Sequence, residues 1–97
     1  MANYRNARLL AAVRTLPCQI CGICGRTQAS HSNQLIDGKG MGIKAQDYRI
    51  AALCDVCHTQ IDQGKDLSKY ERVAMWDAAH RRTIGELFEQ GLIEVKK

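Results

Sequence analysis

Leu9, Leu10, Val13 and Leu16 recur at steps of one and three, the spacing of one helical face, and predict a helix over residues 3–16. Asn3 is placed to cap it. Arg5, Arg8 and Arg14 lie off the apolar stripe, on a face that reads as solvated or as phosphate-contacting. Pro17 ends the helix, because it disfavours helical geometry at the residue before it. Gln28–Ser32 predicts a short strand, and the apolar run Ile50-Ala51-Ala52-Leu53 predicts a second, antiparallel to the first. Between them, residues 33–46 carry Gly38, Gly40 and Gly42 and predict a loop. Residues 55–63 predict a short helix with Gly64 placed to end it. The longest helix runs from Ser68 to Gln90, opened by a capping box of Ser68 and Glu71. Val73, Ile84, Leu87 and Phe88 form its apolar stripe. Asp77 and His80 fall inside that stripe, where polar groups need partners. Either they bond to each other or they support the histidines elsewhere in the chain. Gly91 closes the helix before a short tail.

Composition narrows the function classes. Ninety-seven residues make one domain, 1–97, small enough for a metal staple to matter to stability. A hydrophobic fraction of 45% argues against disorder, and an aromatic fraction of 5% argues against a base-stacking platform. The net charge of +4 suits a polyanionic partner without requiring one. No run approaches the roughly 18 apolar residues of a membrane span, so no membrane role is expected. No basic start leads into an apolar run, so no signal peptide is expected either. Five cysteines cannot all pair, which favours metal-bound thiolates in a reducing cytoplasm over a disulfide framework.

Those cysteines carry the strongest signal. Cys18-Gln19-Ile20-Cys21 and Cys54-Asp55-Val56-Cys57 are two Cys-x-x-Cys pairs about thirty residues apart, the layout of a structural zinc site. Gly22 and Gly25 give the first pair the backbone freedom a tight knuckle needs. Cys21 and Cys24 share the same spacing, so spacing alone leaves the first pair open; Cys18 with Cys21 is preferred and Cys24 is left spare. Thioredoxin-type redox chemistry is disfavoured, because its βαβ context is missing. His31 follows the first pair, and His58 directly follows the second. His58 and Asp62 are four apart and share a helix face. Gly38-Lys39-Gly40 lacks the Gly-Lys-Ser/Thr ending of a P-loop; with Lys44 it reads as a basic loop for a DNA backbone or as a plain connector.

The order Cys18, Cys21, His31, Cys54, Cys57, His58 resembles the HNH nuclease superfamily over residues 17–64. The fuller string, His31-Ser32-Asn33-Gln34 through Gly38-Lys39-Gly40, Ala52-Leu53-Cys54 and Ile61-Asp62-Gln63-Gly64, is similar to small phage and prophage YbcO-like proteins. Those in turn are similar to a phage recombination-enhancing, RecA-dependent nuclease. The resemblance implies an α+β fold: a zinc-stapled treble-clef ββα-metal core flanked by an N-terminal helix and a long C-terminal helix. It implies that His31 is the general base on the attacking water, a role that suits an imidazole. It implies that His58 holds a catalytic magnesium or manganese ion, with Asp62, one turn on, either binding the same ion or orienting His58. Two positions depart from the family pattern. Ser30 stands where many HNH enzymes carry a metal ligand, and Arg49 stands near the expected asparagine. Asp47 and Asn33 are the candidates for the orienting role, and His31, Asp77 or His80 for completing the metal site.

The expected function is a metal-dependent DNA endonuclease or nickase acting in recombination, with DNA and a RecA-type recombinase filament as partners. The alternative is a zinc-stapled DNA-binding accessory protein that does not cleave. A purely structural module, with its histidines as core residues, is the third reading.

Overall fold

A computed structural model describes residues 3–96. Its elements are helix α1 (Ala7–Arg14), strand β1 (Thr27–His31), strand β2 (Ile50–Cys54), helix α2 (Asp55–Gln63) and helix α3 (Lys69–Glu89). A single 3-10 turn, Leu35–Asp37, lies between the strands. The architecture is α+β.

α1 starts later than its periodicity predicts. Asn6, not Asn3, caps it, accepting the Leu9 amide at 3.0 Å. The reason is tertiary. The Tyr4 amide is held by the Gln46 side chain and the Asn6 amide by Asp47, so residues before the cap run extended along another segment. The helix ends at Arg14, three residues ahead of Pro17.

β1 and β2 pair antiparallel, with Thr27 opposite Cys54 and His31 opposite Ile50. β1 begins and ends one residue earlier than the pattern suggests. Every residue of β2 is buried, and its two faces serve different clusters. Ala51 and Leu53 pack with Cys18, Ile61, Trp76 and Ala79. Ile50 and Ala52 pack with Val13, Leu16 and Leu87. A strand buried on both faces reads as a continuous apolar run, which is how Ile50–Leu53 reads.

The free edge of β2 is closed by side chains of α3. The Ala52 amide donates to the Thr83 hydroxyl at 2.9 Å. The Ile50 carbonyl accepts from His80 Nδ1 at 2.7 Å, and the Ala52 carbonyl accepts from the Gln19 amide at 2.8 Å. A carbonyl can only accept, so this contact places a proton on His80 Nδ1. The His80 ring lies flat on Trp76, with centroids 5.0 Å apart and planes 8° apart.

The buried face of α3 is therefore Trp76, Ala79, Thr83 and Leu87. Phe88, expected in the stripe, is 53% exposed. A small residue and a hydroxyl sit against the strand edge because backbone approaches there and an amide needs an acceptor. The capping box of Ser68 and Glu71 forms as expected. Gly64 ends α2 in extended rather than left-handed geometry; a Cβ there would come within 2.2 Å of the Gln60 carbonyl oxygen.

Thr83→Val keeps the shape and removes the acceptor. It is expected to cost about 1–3 kcal/mol by leaving the Ala52 amide unpaired, read as a lower urea midpoint, with Thr83→Ser close to wild type. An unchanged midpoint in Thr83→Val would show that the hydroxyl does not hold the edge.

Candidate functional site

Cys18 opens a turn closed by two backbone bonds: its amide to the Ile23 carbonyl and the Gly22 amide to its own carbonyl, each 2.9 Å. Gly22 and Gly25 both adopt positive φ, +81° and +84°, as the knuckle requires. Cys54 ends β2 and caps α2, its sulfur accepting the Cys57 amide. The sulfurs of Cys18, Cys21, Cys54 and Cys57 all lie within 4.8 Å of one another. Cys21 and Cys54 are 3.7 Å apart, against about 3.8 Å for a tetrahedron with metal–sulfur bonds of about 2.3 Å. Cys24 stands outside the cluster and is exposed. Spacing could not choose between Cys18 and Cys24; the fold does, with Cys18 buried in the cluster and Cys24 exposed outside it.

The thiols pull in opposite directions. Burial would raise Cys18, yet hydrogen bonds from the amides of Cys21, Cys54 and Ile20 outweigh it and bring it down to about 6. Burial and three neighbouring sulfurs push Cys57 up. Four thiols this close cannot all ionise unaided, and a divalent cation among them would supply the missing positive charge. These four residues could hold a metal ion. Among the described residues, no other set of three or more His, Cys, Asp or Glu side chains converges in this way.

The histidines occupy two further places. On α2, His58 Nε2 lies 3.1 Å from Asp62 Oδ2, and its Nδ1 lies 2.7 Å from Gln28 Oε1. The second Asp62 oxygen accepts from the Asn33 amide group at 2.8 Å. His31, at the end of β1, places Nε2 2.8 Å from Asp47 Oδ1. Strand residues three apart face opposite sides, so Gln28 with its partner His58 and His31 flank β1 on its two faces. Asn33, just past the strand end, is the side chain that connects the His31 end of β1 to Asp62.

Asp47 is the hub on the His31 side. Its carboxylate accepts from His31, from the Asn6 amide at 2.7 Å and from Arg5 at 3.3 Å. Burial would raise its pKa, but the His31 nitrogen, the Asn6 amide and Arg5 hold it below its ordinary value. With the carboxylate accepting at Nε2, the proton sits there and Nδ1 presents a lone pair. The His31 side chain is 17% exposed, so that lone pair can be approached.

Asp77 and His80 are not bonded to each other. Asp77 takes the Gln34 amide at 2.7 Å, and His80 caps the β2 edge. Neither makes a hydrogen bond to His31, His58 or Asp62. Ser30 is fully buried, with its hydroxyl unpaired. Arg49 pairs with Asp37 and lies over the Tyr48 ring. Lys39 and Lys44 stand on a loop arm whose base Arg5 clamps, through the carbonyls of Lys44 and Ala45. The sequence pattern showed Arg5 only as one of three off-stripe arginines; nothing in its spacing marks it as the clamp. Gln28 and Gln34, the amides that orient His58 and Asp77, carry no sequence signal either.

Compared with protein-family models, curated proteins and solved structures, the chain matches none.

Proposed function

We propose that the chain is a metal-dependent DNA endonuclease or nickase of the HNH type, its treble-clef core stapled by zinc at Cys18, Cys21, Cys54 and Cys57. One observation carries this reading: an Asp47-oriented His31 with an open Nδ1, at the end of the strand whose other face meets the His58–Asp62 pair. His31 Nδ1 takes the proton from the attacking water, and Asp47 fixes the tautomer and steadies the imidazolium that results. Asp47 thus fills the orienting role for which Arg49 is unsuited. His58 Nε2 and Asp62 Oδ2 would hold the catalytic ion; their 3.1 Å separation suits adjacent ligands of an octahedral ion with bonds of about 2.1 Å. Bound there, magnesium or manganese stabilises charge on the scissile phosphate and the leaving oxygen. Asn33, bonded to Asp62, keeps that carboxylate turned toward His58. A phosphodiester laid across the strand end at residues 31–33 could reach both faces.

The second reading, a zinc-stapled DNA-binding accessory protein, is favoured by one fact: the His58–Asp62 pair offers only two ligands. A recombination setting, with a RecA-type recombinase filament as partner and a phage or prophage origin, rests on the sequence resemblance.

Incubating zinc-loaded protein with supercoiled plasmid and magnesium or manganese, with and without a RecA filament, tests the choice. Nicked or linear product that disappears with chelator is the expected result. Salt-sensitive binding without any cut product would instead establish the accessory reading.

A further inference from the structure

The stretch between the strands is not a plain loop. The Gln46 amide donates to the Asp37 carbonyl at 3.2 Å, and Gly40 and Ile43 exchange both backbone bonds, at 3.0 and 3.1 Å. The first bond ties the base of an arm, residues 37–46, and the second closes a turn with Met41 and Gly42 at its tip. Its base is buried at Ala45, Gln46 and Asp47 and clamped by Arg5. The same Arg5 touches Asp47, the partner of His31, so arm and histidine share one rigid foundation.

Two features of the arm have no explanation within the fold. Met41 at the tip is 100% exposed, a long apolar side chain held in water by a closed turn. Lys39 and Lys44 flank the bridged pair Gly40 and Ile43 on the two sides of the turn, and among the described residues neither forms an ion pair. An apolar tip between two unneutralised lysines is complementary to a duplex: phosphates for the lysines, a base step for the methionine.

We infer that the 37–46 arm is a DNA wedge, in which Met41 inserts between base pairs while Lys39 and Lys44 hold the flanking phosphates. This rests on the DNA-binding reading above and adds to it a residue that deforms the substrate. The inserted side chain partly unstacks one step and bends the duplex. Because the arm is anchored through Arg5 to Asp47, the bend is imposed at a fixed offset from His31. Flexible pyrimidine–purine steps are the cheapest to open and are the preferred target.

The test uses zinc-loaded full chain and a short fluorescent duplex, with circular dichroism confirming that each variant folds. Met41→Ala should weaken binding about tenfold, the part of a buried methionine's transfer energy left after unstacking. The dependence on salt should keep its slope, and Met41→Leu should bind like wild type. Lys39→Ala and Lys44→Ala should each lower the slope by about one. Met41→Trp, read in a Trp76→Phe background, should be quenched by stacking when duplex is added. Equal affinity of Met41→Ala with no quenching would overturn the wedge and leave the DNA reading standing. A wild-type protein that binds no duplex at low salt would overturn both. If the Met41→Trp emission shifts to the blue on anionic vesicles and is untouched by duplex, the arm is a membrane contact and the wedge is wrong.

Discussion

Cys57→Ser is expected to leave a chain that does not fold. Cys57 is buried among three other sulfurs, and its loss removes a ligand at the junction of β2, α2 and the knuckle. Binding of zinc to four thiolates is worth about 10–16 kcal/mol in small domains. The entire stability of a domain this size is about 5–15 kcal/mol. Losing a bound ion would therefore remove as much free energy as the whole net stability of such a domain. The expected result is loss of the far-ultraviolet helix signal and less than one zinc per chain, and the same collapse when wild type meets a strong chelator. Cys24→Ser should keep both the zinc and the helix signal, because Cys24 lies outside the cluster. A Cys18→Ser protein that retains full zinc and stability would show that the knuckle uses Cys24 after all.

The second large effect is expected at His31. His31→Ala should lower plasmid nicking by about 10²–10⁴-fold, the usual contribution of a positioned general base, with DNA binding unchanged. Nicking equal to wild type would remove His31 from the chemistry. Asp47→Ala should also lower nicking, and in addition cost about 1–3 kcal/mol of stability by stranding the Asn6 amide. Its pH signature separates the two roles. The Asp47 carboxyl is held below its ordinary value of 3.8 in the folded chain. It therefore contributes stability that is fully present above that value and is lost as pH falls through the depressed one. Thermal midpoints of wild type and Asp47→Ala should differ at neutral pH and converge in acid below about 4. His31→Ala, which leaves Asn6 and Arg5 on the carboxylate, should keep part of that acid dependence.

The elements with a repeating pattern were legible in the sequence. The second cysteine pair, Cys54 and Cys57, the apolar run of β2, the Ser68–Glu71 capping box and the shared face of His58 and Asp62 follow from spacing, and each forms as read. What spacing could not show is whatever depends on distant backbone. The start of α1 is set by Gln46 and Asp47, forty residues away in sequence, so local propensity at Asn3 was overridden. The true face of α3 includes a threonine and an alanine because a strand edge lies against it. His80 looked like an ionisable group on an apolar stripe, and its place is to satisfy a main-chain carbonyl. The 37–46 arm hid behind its glycines, since a short hairpin with polar flanks has the composition of a connector.

The closure of β2 by α3 also imposes an order on assembly. The four clustered cysteines lie within the first 57 residues, whereas the groups that close the edge of β2 come from residues 80–83. Until residues 80–83 pack, β2 is a fully apolar strand with an unpaired amide at Ala52 and an unpaired carbonyl at Ile50. Such an edge recruits whatever strand it meets, including the same segment of a neighbouring nascent chain. The last third of the sequence thus shields an edge that the first two thirds build, and truncation before Thr83 would leave that edge open to pairing.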